Sequence, residues 1–322
     1  MLVANMKTHP KTQHSLSRTM RLFASQWRHQ LMVIPAMISF LIFSYIPLSG
    51  LINAFLDYSL TDGFYGHAFA GLTYFKQLFS DSDFFLAMRN TIGMSLVKFP
   101  FTFISPILLA LILNELSSTK LKKLTQTGSY LPHFLSYVIV ATLWMIFLDR
   151  RGPINQALTA LGLISQPIEF LAEPGLFWWI GMFIDCWQET GWNAIIYLAA
   201  ISGIDQEIYE AASVDGAGRL CKIFRITLPS ITWTMGVLFI MNVGNLLSGG
   251  PVGSNFNQSY LLGNAFNHST SYVIQNFVVT TGLNQLRFSF ASAANLIISA
   301  LSVTLLVSAN QASKKLFGKS VF

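Results

Sequence analysis

The segment FWWIGMFIDCWQETGWNAIIYL, residues 177–198, concentrates side chains that could do chemistry inside an apolar setting. Asp185, Gln188, Glu189 and Trp192 recur at i, i+3, i+4 and i+7, which puts them on one face of a helix. A charge at the centre of a bilayer costs about 2.5–3.5 kcal/mol on insertion scales, so such residues face a cavity or a partner. One reading is a wall that hydrogen-bonds a hydroxyl-rich solute, with Trp187 or Trp192 stacking on rings; a proton relay through the two carboxylates is another. The competing reading is structural: the carboxylates pair with Arg89 or Lys98, or with a second subunit, and hold helices together. Further along, Leu238, Asn242 and Asn245 also share a helix face, which adds both asparagines to the candidate wall, with interhelical hydrogen bonding as the alternative. Ser292, Asn295, Ser299 and Ser302 recur at helical spacing too, and small polar residues there read as packing contacts.

The elements that must carry these residues are membrane helices. Hydrophobic residues make up 52% of the 322 residues and charged ones 11%, too few to clothe a water-soluble body of this size. The expected class is an all-α integral membrane protein. Six apolar runs approach the ~20 residues needed to cross a bilayer. They lie at about 31–56, 91–114, 129–148, 176–201, 227–247 and 289–309, between a tail over 1–30 and a second over 310–322. The internal Pro35, Pro47, Pro100 and Pro106 do not argue against helix, because neighbouring helices satisfy the freed backbone groups. The first run lacks a small-residue cleavage site and reads as a retained span.

Lysine and arginine give the orientation. Lys7, Lys11, Arg18, Arg21, Arg28, Lys120, Lys122, Lys123, Arg219, Lys222, Arg225, Lys314, Lys315 and Lys319 fall on one side. The other side holds Lys76, Arg89, Arg150, Arg151 and Arg287. The positive-inside rule puts both termini in the cytoplasm. The net charge of +6 then reflects topology and attraction to membrane lipid, and no nucleic-acid partner is expected. Cys186 and Cys221 form no C-x-x-C pair, and no metal site is expected. His133 reads as a hydrogen-bonding residue at a helix end. Residues 248–288, rich in Gly, Asn and Ser, read as an outer loop.

One polar segment, 205–229, interrupts this pattern between spans four and five; with Ile204 before it, it reads IDQEIYEAASVDGAGRLCKIFRITLP. Asp205 is a candidate N-cap, and Gly216 and Gly218 can bend the chain where other residues would be strained. A second helix starts near Leu220, and Pro229 suits the start of span five. Glu210, Ala211, Ala212, Asp215, Gly216, Ala217, Phe224, Ile226, Leu228 and Pro229 together resemble the EAA loop of permease subunits of bacterial type I ABC importers. The likeness extends through GWNAIIYLAAISGIDQEIYEAASVDGA, and NELSSTKLKKLTQTGSYLPHFLS is similar to the branch of the sugar-permease family that handles oligo- and polysaccharides, alginate among them.

That resemblance implies a division of labour. The chain would have the six-span type I importer permease fold and form half of a pathway with a second, different permease. Two ATPase subunits would bind ATP and magnesium, and an extracytoplasmic binding protein would deliver the solute. Glu210, Ala211, Ala212, Asp215, Gly216 and Ala217 would form the joint with the ATPase, and Asp185, Gln188, Glu189, Trp192, Asn242 and Asn245 would line the path. The chain itself has no G-x-x-x-x-G-K-[ST] loop, so no enzyme activity or cofactor of its own is expected. Loss of Asp185 or Glu189 is expected to impair transport and spare assembly on the path reading, and to break the complex on the pairing reading. Two acids on the path face argue mildly against an anionic substrate, and a disaccharide or polyol phosphate remains the alternative.

Overall fold

In a computed structural model, residues 25–59 and 67–318 are described. Lys7, Lys11, Arg18, Arg21 and Lys319 of the orientation argument lie outside the described residues. The chain divides into two units, Met1–Ile52 and Asn53–Phe322. The first carries most of α1, Trp27–Phe55, which passes through a π-helical turn at Leu41–Tyr45 with Pro35 inside it.

The second unit is built on α2, Ser82–Glu115, a 34-residue helix. The Asp81 carboxylate starts it by accepting from the backbone N–H groups of Asp83 and Phe84 at 2.9 and 3.1 Å. Pro100 and Pro106 lie within it without ending it. Next, α3 (Thr119–Tyr130, capped by Ser118) and α4 (Tyr137–Leu148, capped by Ser136) are separated by the 3-10 turn Leu131–Phe134. The short helix Pro153–Ala160 follows, and the chain's bend of 103° lies earlier, between Phe134 and Tyr137.

The 26-residue α5, Phe177–Ser202, packs along α2. After it come α6 (Gln206–Val214), α7 (Arg219–Ser230, with a π-helical turn at Ile223–Thr227) and α8 (Thr232–Gly244), α7 and α8 meeting at 60°. Helices α9 (Asn255–Leu262) and α10 (Ile274–Val279) precede α11, Phe288–Phe317, which packs along α8.

Among the described residues, three helices, Trp27–Phe55, Ser82–Glu115 and Phe288–Phe317, are long and apolar enough to span a membrane, and up to five if each of the two bent pairs is one span. Helix α5 has the length of a span, but Asp185, Gln188, Glu189 and Asn193 dilute its hydropathy. Each of the six expected runs thus has a helical counterpart, with different ends: the second begins at Ser82 and the last runs to Phe317.

Residues 248–288 depart from the expected loop. Ser254, Asn255, Gln258, Leu262, Ile274 and Phe277 are buried, so α9 and α10 fold into the bundle. The physical reason is charge: Lys98 and Asp185 need polar neighbours away from lipid, and this segment supplies them.

Candidate functional site

The polar segment between spans four and five has the local structure its residues dictate. The Asp205 carboxylate caps α6 by accepting from the Glu207 N–H at 3.0 Å. Its far end is a Schellman turn: the Gly216 N–H donates to Ser213 O at 3.1 Å, and the Ala217 N–H to Ala212 O at 2.8 Å. That turn requires a left-handed residue, and Gly216 supplies φ +78°. Tyr209 then ties α6 to α7, its hydroxyl 2.8 Å from Oγ1 of the buried Thr227, and Lys222 Nζ donates to Ser213 Oγ at 2.6 Å.

Glu210, Ala211, Asp215 and Gly216 are exposed, and Ala212 and Ala217 are half-buried. Beside them stand Ile208, Val214, Leu220 and Phe224, all exposed, with Val214 at 88%. The pattern of acids and small residues does not by itself reveal this apolar surface. The signal lies in the sequence, where Ile208, Val214, Leu220 and Phe224 are large apolar residues set among the acids, bases and glycines of this segment.

Within the bundle the six candidate wall residues separate. Asp185 is fully buried and pairs with Lys98, Nζ to Oδ2 being 3.0 Å. The ammonium also donates to Ser254 Oγ (3.0 Å), Asn255 Oδ1 (2.9 Å) and Gln258 Oε1 (2.6 Å). Ser254 Oγ and Gln258 Nε2 donate in turn to the Asp185 carboxylate at 2.7 and 2.6 Å. Span two, span four and α9 are thereby joined at one point, near the midpoint of α2 and roughly 25 Å from either of its ends. The geometry of Asp185 is that of the pairing reading. The three neutral partners of the ion pair, Ser254, Asn255 and Gln258, lie in the segment whose composition reads as a loop, so spacing within span four does not reveal them.

Glu189 and His133 share a hydrogen bond of 2.9 Å, which joins span four to the turn between α3 and α4. Trp192 stacks on the His133 ring at 4.4 Å and meets Phe134 edge-on. Gln188 Nε2 reaches Leu135 O at 3.3 Å. Three of the candidates therefore hold the kink of span three rather than converging on Asn242 and Asn245. Those asparagines lie on α8, Asn242 half-buried and Asn245 exposed one residue beyond the helix end. Where α5 meets α8 it presents Ala194, Tyr197 and Ile201, not the acid face.

If the Glu189–His133 contact carries energy, Glu189→Ala and His133→Ala are expected to be non-additive in thermal unfolding of the purified protein. The coupling should be about 0.5–3 kcal/mol, the range for residues in contact. Strictly additive losses would show that the contact carries none.

Residues 106–317 match the family described as "Binding-protein-dependent transport system inner membrane component". The chain is 37% identical to protein LplB of Bacillus subtilis, over 91% of this chain and 90% of that one. It is 39% identical to the polygalacturonan/rhamnogalacturonan transport system permease protein YteP of the same organism, over 90% and 88%. In structure it superposes on a chain of a bacterial ABC transporter involved in the import of the acidic polysaccharide alginate, with a TM-score of 0.82 and 35% identity over 93% of this chain and 99% of that one. A further structure of a bacterial alginate ABC transporter, in complex with alginate pentasaccharide-bound periplasmic protein, also gives a TM-score of 0.82. The exposed helix–turn–helix of α6 and α7 lies inside the matched residues, and the chain belongs to the family of ABC-importer permeases, the inner-membrane components of binding-protein-dependent transport systems.

Proposed function

We propose that this chain is one half of the membrane pathway of an ATP-driven importer of acidic oligo- or polysaccharide. The observation that carries the reading is similarity over nearly the whole chain, at 35–39% identity, to permeases of polygalacturonan/rhamnogalacturonan and alginate transport. The geometry supports it by removing an objection. Asp185 is neutralised by Lys98, and the Glu189 carboxylate is occupied by a hydrogen bond with His133, so neither carboxylate is left without a partner to face an anionic sugar.

The remaining parts follow from the family. A second permease completes the pathway, with Asn242 and Asn245 on this chain's share of it. Two ATPase subunits bind ATP and magnesium and receive α6, whose Glu210, Asp215 and exposed Val214 form the contact surface. The binding protein docks on the opposite face, and both termini lie in the cytoplasm.

The test is the assembled complex in proteoliposomes with its binding protein. Binding protein loaded with an oligogalacturonide or alginate oligosaccharide is expected to stimulate ATP hydrolysis and drive uptake that an uncoupler does not reduce. Stimulation only by a disaccharide or polyol phosphate would replace the substrate, and uptake that collapses with the proton gradient would replace the mechanism.

A further inference from the structure

We infer that Lys98 is a positioning residue of the pathway: through Asn255 and Ser95 its buried ammonium sets the interrupted end of span five, residues 245–254. The inference rests on the reading that Asn245 lies on the substrate route. Span five leaves the helical path at Gly244, deep in the bundle, and the chain turns back into α9. Irregular backbone at this depth persists only where protein groups satisfy it. Here they do. The Asn245 carbonyl accepts from the N–H groups of Ser248, Gly249 and Gly250 at 3.1, 3.1 and 3.0 Å. The Leu246 carbonyl accepts from Ser95 Oγ at 2.7 Å, and the Leu247 carbonyl from Gln275 Nε2 at 2.7 Å.

The Ser95 contact is not independent. Asn255 Nδ2 donates to Ser95 Oγ at 2.8 Å, and Asn255 Oδ1 accepts from Lys98 Nζ at 2.9 Å. A cation can face only the amide oxygen, so Lys98 fixes which way the Asn255 amide points. The amide nitrogen then faces Ser95, whose hydroxyl proton is free to go to Leu246 O. Charge at position 98 is thereby read out as a hydrogen bond on the turn that carries Asn245 and Ser248, both exposed. Ser95 and Lys98 stand at i and i+3, on one face of α2.

Gly181 makes room for the arrangement. A Cβ there would lie 2.6 Å from Gln258 Oε1 and 3.1 Å from Lys98 Cε.

The experiment uses the full transporter with its binding protein, in a background with Cys186→Ser and Cys221→Ser. Ser248→Cys reports on the turn through its rate of reaction with a membrane-impermeant maleimide. Lys98→Met removes the charge. Ser95→Ala cuts the relay at its last step and leaves the ion pair whole, so it answers the question even if Lys98→Met fails to assemble.

The expected result for Ser95→Ala is an assembled complex in which Ser248→Cys labelling changes about tenfold. Solute moved per ATP falls by a similar factor, the scale of one or two lost hydrogen bonds. Wild-type labelling and wild-type transport per ATP in Ser95→Ala would overturn the inference and leave the cluster a weld between helices. Asn245→Ala separates the two readings. If it transports normally, the turn is off the route and the pathway reading itself fails. If it is impaired while Ser95→Ala is not, only the positioning role is lost.

Discussion

Gly216→Val is expected to uncouple the transporter. Uptake should fall by roughly tenfold or more, while the chain still inserts and keeps its topology. The cause is local. Position 216 has φ +78°, and a β-branched residue in the left-handed region costs about 1–2 kcal/mol or more, roughly a tenfold shift against the native turn. With the turn lost, the hydrogen bonds from Gly216 N to Ser213 O and from Ala217 N to Ala212 O go with it, and α6 loses its fixed angle to α7. Among the described residues, no atom apart from the chain neighbours lies within 4 Å of a Cβ built at Gly216, so bulk meets no clash there.

Gly216→Asn separates the causes, because asparagine tolerates the left-handed region. Failure of the valine variant alone assigns the effect to backbone conformation. Failure of both assigns it to crowding against the ATPase. Glu210→Lys reverses a charge on the exposed face and should make ATP hydrolysis unresponsive to loaded binding protein. Normal, substrate-stimulated hydrolysis and uptake in Gly216→Val and Glu210→Lys would reduce α6 to a connector.

What the sequence made legible here was local. The Asp205 cap and the glycine turn each depend on neighbours within a few residues, so their signature is contiguous, as is the EAA motif that carries the family. The spans were legible as apolar runs, though their ends moved where caps such as Asp81 and Ser118 set them. The destinations of the intramembrane polar residues were not legible. Lys98 meets partners 156, 157 and 160 residues away, and no periodicity encodes that. Low hydropathy made residues 248–288 resemble a loop, although that same polarity lets the segment enter the bundle and solvate a buried ion pair. The helical spacing that grouped Asp185 with Glu189 and Trp192 was sound. It could not say that α5 spends this face on α9 and the kink of span three.

Removing one partner of the buried ion pair should be the most damaging change inside the membrane. In Lys98→Met the Asp185 carboxylate keeps Ser254 and Gln258 as donors but loses its countercharge while remaining fully buried. Breaking such a pair from one side typically costs about 3–5 kcal/mol, roughly a fifth to all of the 5–15 kcal/mol that holds a typical domain together. Lys98→Met and Asp185→Leu should therefore each lower the melting temperature sharply and reduce co-purification with the ATPase. This replaces, for Asp185, the expectation that its loss spares assembly. His133→Ala should do much less, because that imidazole is partly exposed and the unpaired Glu189 has some access to solvent. The double variant Lys98→Met with Asp185→Leu leaves no uncompensated charge, and it should recover part of the stability lost by either single change. The ordering is the test. A Lys98→Met protein as stable as the wild type would mean that water reaches Asp185, and a double variant worse than both singles would mean that the polar shell of Ser254, Asn255 and Gln258, rather than the charge pair, holds spans two and four to α9.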